Sequence, residues 1–256
     1  METSTKTKHP FAAESLEGKR ILITGGTTGI GRAAALMLAA QGANVLICGR
    51  HAPELNDTLA DAEKLGLSER ITGVIADLGT ETGIKKIFSS VEDRFTGLDV
   101  LVNNAALAFD GIEEGSYSDW QYVLNTNLLA PLACTNEAAK LMKANGGGHI
   151  VNIGSMSAVS RGKDSSVYVA TKSGLQGFSA SVRKELNPDG IKVSLIEPGL
   201  VDTDMIPGTP EEHEEKKKKG EMLVADDIAR SIVYVLTQTK NTAVIDLRIR
   251  PLMQES

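Results

Sequence analysis

The chain has 256 residues and a formal net charge of −6, with 23% charged, 41% hydrophobic and 4% aromatic residues. Roughly 150 residues per domain allows one or two domains, and single α/β domains of about 250 residues are common. The apolar share supports a sizeable core, which excludes a disordered chain and a disulfide-stapled miniprotein. Cys48 and Cys134 stand far apart in apolar stretches, which suits a reducing compartment and makes no disulfide framework. An acidic balance argues against a nucleic-acid partner. The longest wholly apolar run, Ala33 to Ala40, is far shorter than the ~20 residues of a membrane span. Without an apolar stretch near Met1 no signal peptide is expected, and the reading is a soluble, cytoplasmic protein. His9, His51, His149 and His213 lack metal-ligand spacing, so no metal site is expected.

Residues 1–18 are polar and aperiodic and read as a flexible arm. From Arg20 onward, short apolar runs alternate with longer amphipathic stretches. The runs are Ile21–Ile23, Val45–Cys48, Ile71–Ala76, Leu98–Val102, His149–Ile153, Val193–Ile196 and Ala243–Ile249. Such Val- and Ile-rich runs suit strands covered on both faces. Helices are predicted from Ile30 to Ala40, from about Pro53 to Gly66, and from Ser118 to the Asn145-Gly-Gly-Gly148 stop. Two more run from Ser166 to Asn187-Pro-Asp-Gly190 and from Asp226 to near Gln238. This alternation predicts a doubly wound α/β fold, with about seven parallel strands and helices on both faces of one Rossmann-type domain over 19–256. Ligands then bind beyond the carboxyl ends of the strands, so the residues just after each run are the ones to read.

After the first strand comes Thr24-Gly25-Gly26-Thr27-Thr28-Gly29-Ile30-Gly31, leading into a helix. Gly25, Gly29 and Gly31 can supply a tight turn, a bare backbone beside a pyrophosphate and close helix packing. The second strand ends at Gly49-Arg50, without the carboxylate that NAD enzymes offer to the ribose. A guanidinium at Arg50 could instead take a 2′-phosphate. Tyr168 and Lys172, at i and i+4 on one helix face, form a phenol–ammonium pair, and the ammonium favours the phenolate. Ser155 follows a strand end thirteen residues earlier, where a hydroxyl could reach a carbonyl oxygen.

Together these residues resemble the classical short-chain dehydrogenase/reductase family over about residues 18 to 250. The matches are Thr24-Gly-x-x-x-Gly-Ile-Gly31, Asp77-Leu78, Asn103-Asn104-Ala105, Thr126-Asn127-Leu128, Ser155, Tyr168-x-x-x-Lys172, and Pro198-Gly199 followed by Thr203. The resemblance implies Tyr168 as general acid/base and Lys172 as the group that lowers its pKa and binds the nicotinamide ribose. It implies Ser155 as the holder of the substrate oxygen and Asn127 as the positioner of a relay water. The cofactor would meet Gly25, Thr27, Thr28, Gly29, Ile30, Gly31 and Arg50 at one end. Asp77, Leu78, Asn104 and Ala105 would follow, then Pro198, Gly199, Val201 and Thr203 around the nicotinamide. The ending Thr242-Ala-Val-Ile-Asp-Leu-Arg-Ile-Arg250-Pro251 departs from the commonest, Gly-rich pattern and leaves the substrate open.

The expected activity is interconversion of a small carbonyl compound and a secondary alcohol with NADP, NAD being possible. An NAD-linked alcohol dehydrogenase of the same fold and a non-catalytic nucleotide sensor remain alternatives. A homo-oligomer, tetramer or dimer, is expected from the resemblance and from Ser173, Gly174, Gly177 and Ser181, small residues along one helix. The last strand alternates Ile245, Leu247 and Ile249 with Asp246, Arg248 and Arg250, as an interface strand would. Pocket walls are expected from Leu107–Gly115, Met156–Lys163 and Val201–Met222. Near 204–222, breakers flank a charged helix with Glu212–Lys216, Glu214–Lys218 and Glu215–Lys219 at i, i+4, and this segment reads as a lid. Trp120 and Tyr122 read as packing residues.

Overall fold

Seven strands form one parallel sheet in the order β3-β2-β1-β4-β5-β6-β7, in a computed structural model that describes residues 13–163 and 165–254. In chain order the first half is β1 (Arg20–Thr24), α1 (Gly29–Ala40), β2 (Asn44–Gly49), α2 (Ala52–Lys64), β3 (Ile71–Ile75), α3 (Glu81–Arg94) and β4 (Val100–Asn103). Then come α4 (Tyr117–Leu124), a π-helical turn (Asn125–Leu129), α5 (Ala130–Ala144), β5 (Gly148–Ile153), α6 (Ser157–Ser160) and α7 (Ser166–Leu186). A 3₁₀ turn (Asn187–Asp189), β6 (Ile191–Pro198), α8 (Pro210–Lys218), α9 (Ala225–Leu236) and β7 (Asp246–Ile249) complete it. This is the doubly wound architecture the alternation predicts.

Period-2 side chains divide the core. Ile21 and Ile23 face α1, α2 and α9, whereas Leu22 faces α3, α5 and α7. The winding direction reverses between β1 and β4, whose adjacent carboxyl ends leave a crevice.

Several elements differ from the sequence reading, among them a short helix α6 that it lacks and a β7 that starts at Asp246 rather than Ala243. Helix α3 was not foreseen, although Thr80 caps it by accepting from Gly83 N at 3.1 Å. It buries Ile84, Ile87, Phe88 and Val91 at helical spacing. The long helix expected from Ser118 widens at Asn125–Leu129, where the Ala130 amide reaches back to the Asn125 carbonyl. Pro131 has no N–H to give the Asn127 carbonyl four residues earlier, which accounts for a break of the α pattern there. Finally, the expected arm is docked where it can be described. Leu16 is buried, Glu14 N donates to Thr237 O, and Arg70 bonds Glu17. Residues 1–12 of that arm lie outside the described residues.

On α7, Gly174 has a reason within its own chain, since a Cβ there would stand 3.0 Å from Leu128. No described helix is long and apolar enough to cross a membrane.

His149 on β5 is buried and pairs through Nε2 with Ser194 Oγ at 2.8 Å. Ser194 donates its own proton to the Val244 carbonyl, so His149 Nε2 must be the N–H donor to Ser194. Burial, and secondarily Lys192, push this imidazole down from 6.5 to about 3. Between those two values the unfolded chain binds a proton that the folded chain refuses. Stability should therefore fall as pH falls below 6.5, by up to about 1.4 kcal/mol per pH unit from this group. Urea unfolding of wild type and His149→Gln at neutral and mildly acid pH checks this. The variant should lose less stability on acidification, and parallel losses would assign the acid sensitivity elsewhere.

Candidate active site

At the crevice lies a cavity of about 760 Å³ that runs from the β1–α1 turn, past the ends of β2 and β3, to Tyr168, Met205 and Ile206. Its floor is backbone. Gly25 adopts φ +63, and a Cβ there would fall 2.8 Å from Ala105 Cα. A Cβ on Gly31 would fall 2.1 Å from the Gly25 carbonyl oxygen, so only glycine lets α1 start this close to β1. Thr28, the N-cap, makes no side-chain cap and the first turn of α1 carries no acidic residue. Its unpaired amides and positive dipole end are thus available to an anion.

Asn104 braces this turn from behind, with Nδ2 donating to the carbonyls of Thr24 (3.0 Å) and Gly25 (2.9 Å). The Asn104 and Ala105 amides both donate to Thr24 Oγ1. Thr58 Oγ1 holds the Thr27 carbonyl at 2.9 Å. Thr27, Thr28, Gly29 and Ile30 line the cavity, while Gly31 is buried behind them. At the far end stand Arg50, His51, Glu54, Asp77 and Leu78. Bare backbone, free amides and one guanidinium make a cradle fitted to a dinucleotide.

The opposite end is built by β5 and α7. Ser155 follows β5 and accepts from the Ser157 amide at 3.1 Å, which fixes its side chain at the start of α6. Tyr168 and Lys172 lie one turn apart on α7, with Lys172 Nζ 5.6 Å from the centre of the Tyr168 ring. Lys172 is almost fully buried and donates to the Ile153 carbonyl at 2.9 Å. Burial lowers its ammonium from 10.5 to about 8. Burial also raises the Tyr168 phenol above 10, and the hydrogen bond with Ser155 offsets only part of that. The phenol is therefore raised in the free protein, against the depression by Lys172 that the sequence predicts. A neutral phenol with a hydroxyl and an ammonium beside it can deliver a proton to an oxygen placed between Ser155 and Tyr168.

Thr203 completes this end, its methyl carbon lying over Gly29, where a Cβ would stand 3.1 Å away. Pro198, Gly199 and Val201 line the same wall, and Val201 bridges to Leu223.

A sequence profile of the short chain dehydrogenase family matches residues 19–214. The chain belongs to this family. An uncharacterized oxidoreductase of Staphylococcus epidermidis is 33% identical over 234 residues, covering 91% of this chain and 97% of its own. The human dehydrogenase/reductase SDR family member 11 is 32% identical over 244 residues, covering 91% and 94%. Among solved structures, a short chain dehydrogenase from Burkholderia cenocepacia in complex with NADP superposes with a TM-score of 0.81. It is 31% identical and covers 93% of this chain and 98% of its own. A metagenomic short-chain oxidoreductase in complex with NADP gives 0.80 at 27% identity, covering 94% and 100%.

In this short-chain dehydrogenase several side chains do other things than their spacing suggests. Asn127 sits in the π turn, almost fully buried, and its amide grips the Leu107 backbone. Oδ1 accepts from Leu107 N at 2.7 Å, and Nδ2 donates to Leu107 O at 2.8 Å and to Thr171 Oγ1 at 3.4 Å. Its side chain thus fixes the loop after β4 to α7.

Of the expected pocket walls, Leu107–Phe109, Met156, Ser157, Ser160 and residues 201 and 203–206 line the cavity. Gln254 also lines it, its Oε1 accepting from Leu200 N, and nothing in the sequence signalled this. Tyr122 is more than packing, because its hydroxyl joins Arg50 to Asp77.

The 204–222 excursion carries α8, capped by Thr209 with Glu212. Glu212 serves that cap instead of Lys216, and among the three expected pairs Glu215–Lys219 is formed, at 2.6 Å. Lacking apolar surface, α8 docks through Asp202, which bonds His213 at 2.8 Å and Lys217 at 2.7 Å. Lys217 and then His213 hold the Asp202 carboxyl below its usual range.

Proposed function

We propose that this chain is an NADP-dependent oxidoreductase that interconverts a small carbonyl compound and a secondary alcohol by hydride transfer. The observation that carries the reading is the placement of the Tyr168 phenol with Ser155 and Lys172 in one cavity with the Gly25–Gly31 turn. When bound, the dinucleotide supplies or accepts the hydride. The amides of the turn would hold its diphosphate, and Asp77 and Leu78 would stand toward its adenosine end. Thr203, Pro198, Gly199 and Val201 would hold the nicotinamide end. Ser155 donates to the substrate oxygen and fixes it beside Tyr168. As reduction proceeds, the oxygen gains negative charge and takes the Tyr168 proton, and the Lys172 ammonium stabilises the phenolate left behind. Asn127 acts through position, by holding the loop and helix on either side of the reacting groups.

The preference for NADP rests on Gly49, which offers no carboxylate, on Arg50 beside it, and on two similar structures that are NADP complexes. A panel of ketones and secondary alcohols assayed with both cofactors tests the activity. Turnover with NADPH should exceed that with NADH, and binding of both without turnover of any carbonyl would favour a nucleotide sensor. Arg50→Ala should weaken NADP binding about ten- to a hundredfold, as loss of a charge-assisted contact does. NAD binding should barely change, and equal losses for both cofactors would reject Arg50 as the 2′-phosphate reader.

A further inference from the structure

The Tyr122 hydroxyl stands between two charges at the adenosine end of the cavity. It donates to the Asp77 carboxylate, 3.0 Å from Oδ1 and 3.1 Å from Oδ2, and accepts from Arg50 Nη1 at 2.8 Å. The guanidinium lies 5.8 Å from the centre of the Tyr122 ring. Ser116 and Asp119 cap the start of α4, and one turn on Tyr122 is pressed against Gly79, where a Cβ would fall 2.4 Å from the ring. The ring therefore packs on the segment that follows β3, and its hydroxyl is held by Arg50 and Asp77.

Two carboxylates, Asp77 and Glu54, line this end of the cavity along with Arg50. Among the described residues Arg50 has Tyr122 as its partner and no carboxylate within ion-pair distance. A guanidinium paired directly with a carboxylate is already neutralised and offers less to a phosphate. We propose that Tyr122 is a specificity-determining positioning residue, whose hydroxyl keeps Arg50 apart from Asp77 and open to a 2′-phosphate. The proposal rests on the NADP reading above. Removing the hydroxyl while keeping the ring lets Arg50 close onto Asp77.

The test is titration of NADP and NAD onto wild type, Tyr122→Phe, Arg50→Ala, the Tyr122→Phe/Arg50→Ala double variant and Tyr122→Phe/Asp77→Asn. Thermal melts check that each variant is folded. Tyr122→Phe should lower the NADP/NAD affinity ratio about tenfold, toward that of Arg50→Ala, and the double variant should lose little more. Adding Asp77→Asn should return the ratio toward wild type, because the competing carboxylate is gone. Effects on the adenine pocket common to both cofactors cancel in this ratio. If Arg50→Ala lowers the ratio and Tyr122→Phe does not, the role of Tyr122 is overturned and the NADP reading stands. If Arg50→Ala leaves the ratio unchanged, the 2′-phosphate reading fails and the role of Tyr122 fails with it. A Tyr122→Phe loss that Asp77→Asn does not restore would overturn the spacer mechanism.

Discussion

Tyr168→Phe is expected to abolish nearly all carbonyl reduction while leaving NADP affinity close to that of wild type. The substitution removes one oxygen and keeps the ring, so the packing of α7 against α6 is preserved. What disappears is the hydroxyl beside Ser155 that we propose as the proton donor. Positioned acid–base groups contribute about 10²–10⁴ in rate, and a loss of about a thousandfold is expected here. A phenol of ordinary pKa near 10 already keeps its proton at neutral pH, and burial raises it further, so the free protein carries the proton that reduction would consume. Oxidation of the alcohol needs the phenolate and should be favoured by alkaline pH. Turnover and NADP titrations of the same preparation separate the two effects. A Phe variant keeping more than about a tenth of the wild-type rate, a barrier change of only ~1.4 kcal/mol, would rule out the role.

Much of this was legible because the fold is local in sequence. The Gly25–Gly31 turn must join a strand to a helix, and Tyr168 and Lys172 share a helix face, so neighbours in sequence are neighbours in the site. Helix α3 leaves a weaker trace in the sequence. Thr80, and Ile84, Ile87, Phe88 and Val91 after it, carry both a cap and a period, though Gly83 and the charges around it dilute the apolar signal. Tyr122 and Gln254 were not legible by the same means. Tyr122 lies 72 residues from Arg50 and 45 from Asp77, and Gln254 lies 54 from Leu200. Such contacts are set by how the layers stack, which spacing along the chain does not encode. The pKa of Tyr168 belongs with them. Its neighbour in sequence predicted a lowered value, but the surrounding walls determine desolvation and raise it.

Desolvation also shapes what is expected of Lys172. Its ammonium titrates near pH 8 in the free protein, well below 10.5. If the ammonium is the form that supports proton delivery, kcat/KM for reduction should be level at neutral pH and fall as pH rises through about 8. The raised Tyr168 phenol keeps its proton through that interval, so one group accounts for the fall. Lys172→Met keeps most of the side chain's length, one atom short, without the charge. It should lower both the rate and NADP affinity, and its residual activity should lack the fall near pH 8.

The same burial sets the sign of a stability effect. Between pH 8 and 10.5 the unfolded chain holds the Lys172 proton and the folded chain does not, so this group's contribution to stability rises with pH across that window. Below it the full cost of burying the charge is present, about 3 kcal/mol from the shift. Lys172→Met relieves that cost but leaves the Ile153 carbonyl without its donor, a loss of about 1–3 kcal/mol. Near neutral pH the variant should therefore equal or exceed wild type in stability despite its lost activity. Its advantage should shrink as pH rises toward 10.5. Denaturant unfolding of both proteins across this range measures the difference directly. A difference that is constant with pH would mean that Lys172 keeps an ordinary ammonium pKa, and the predicted fall in kcat/KM near pH 8 would lose its cause.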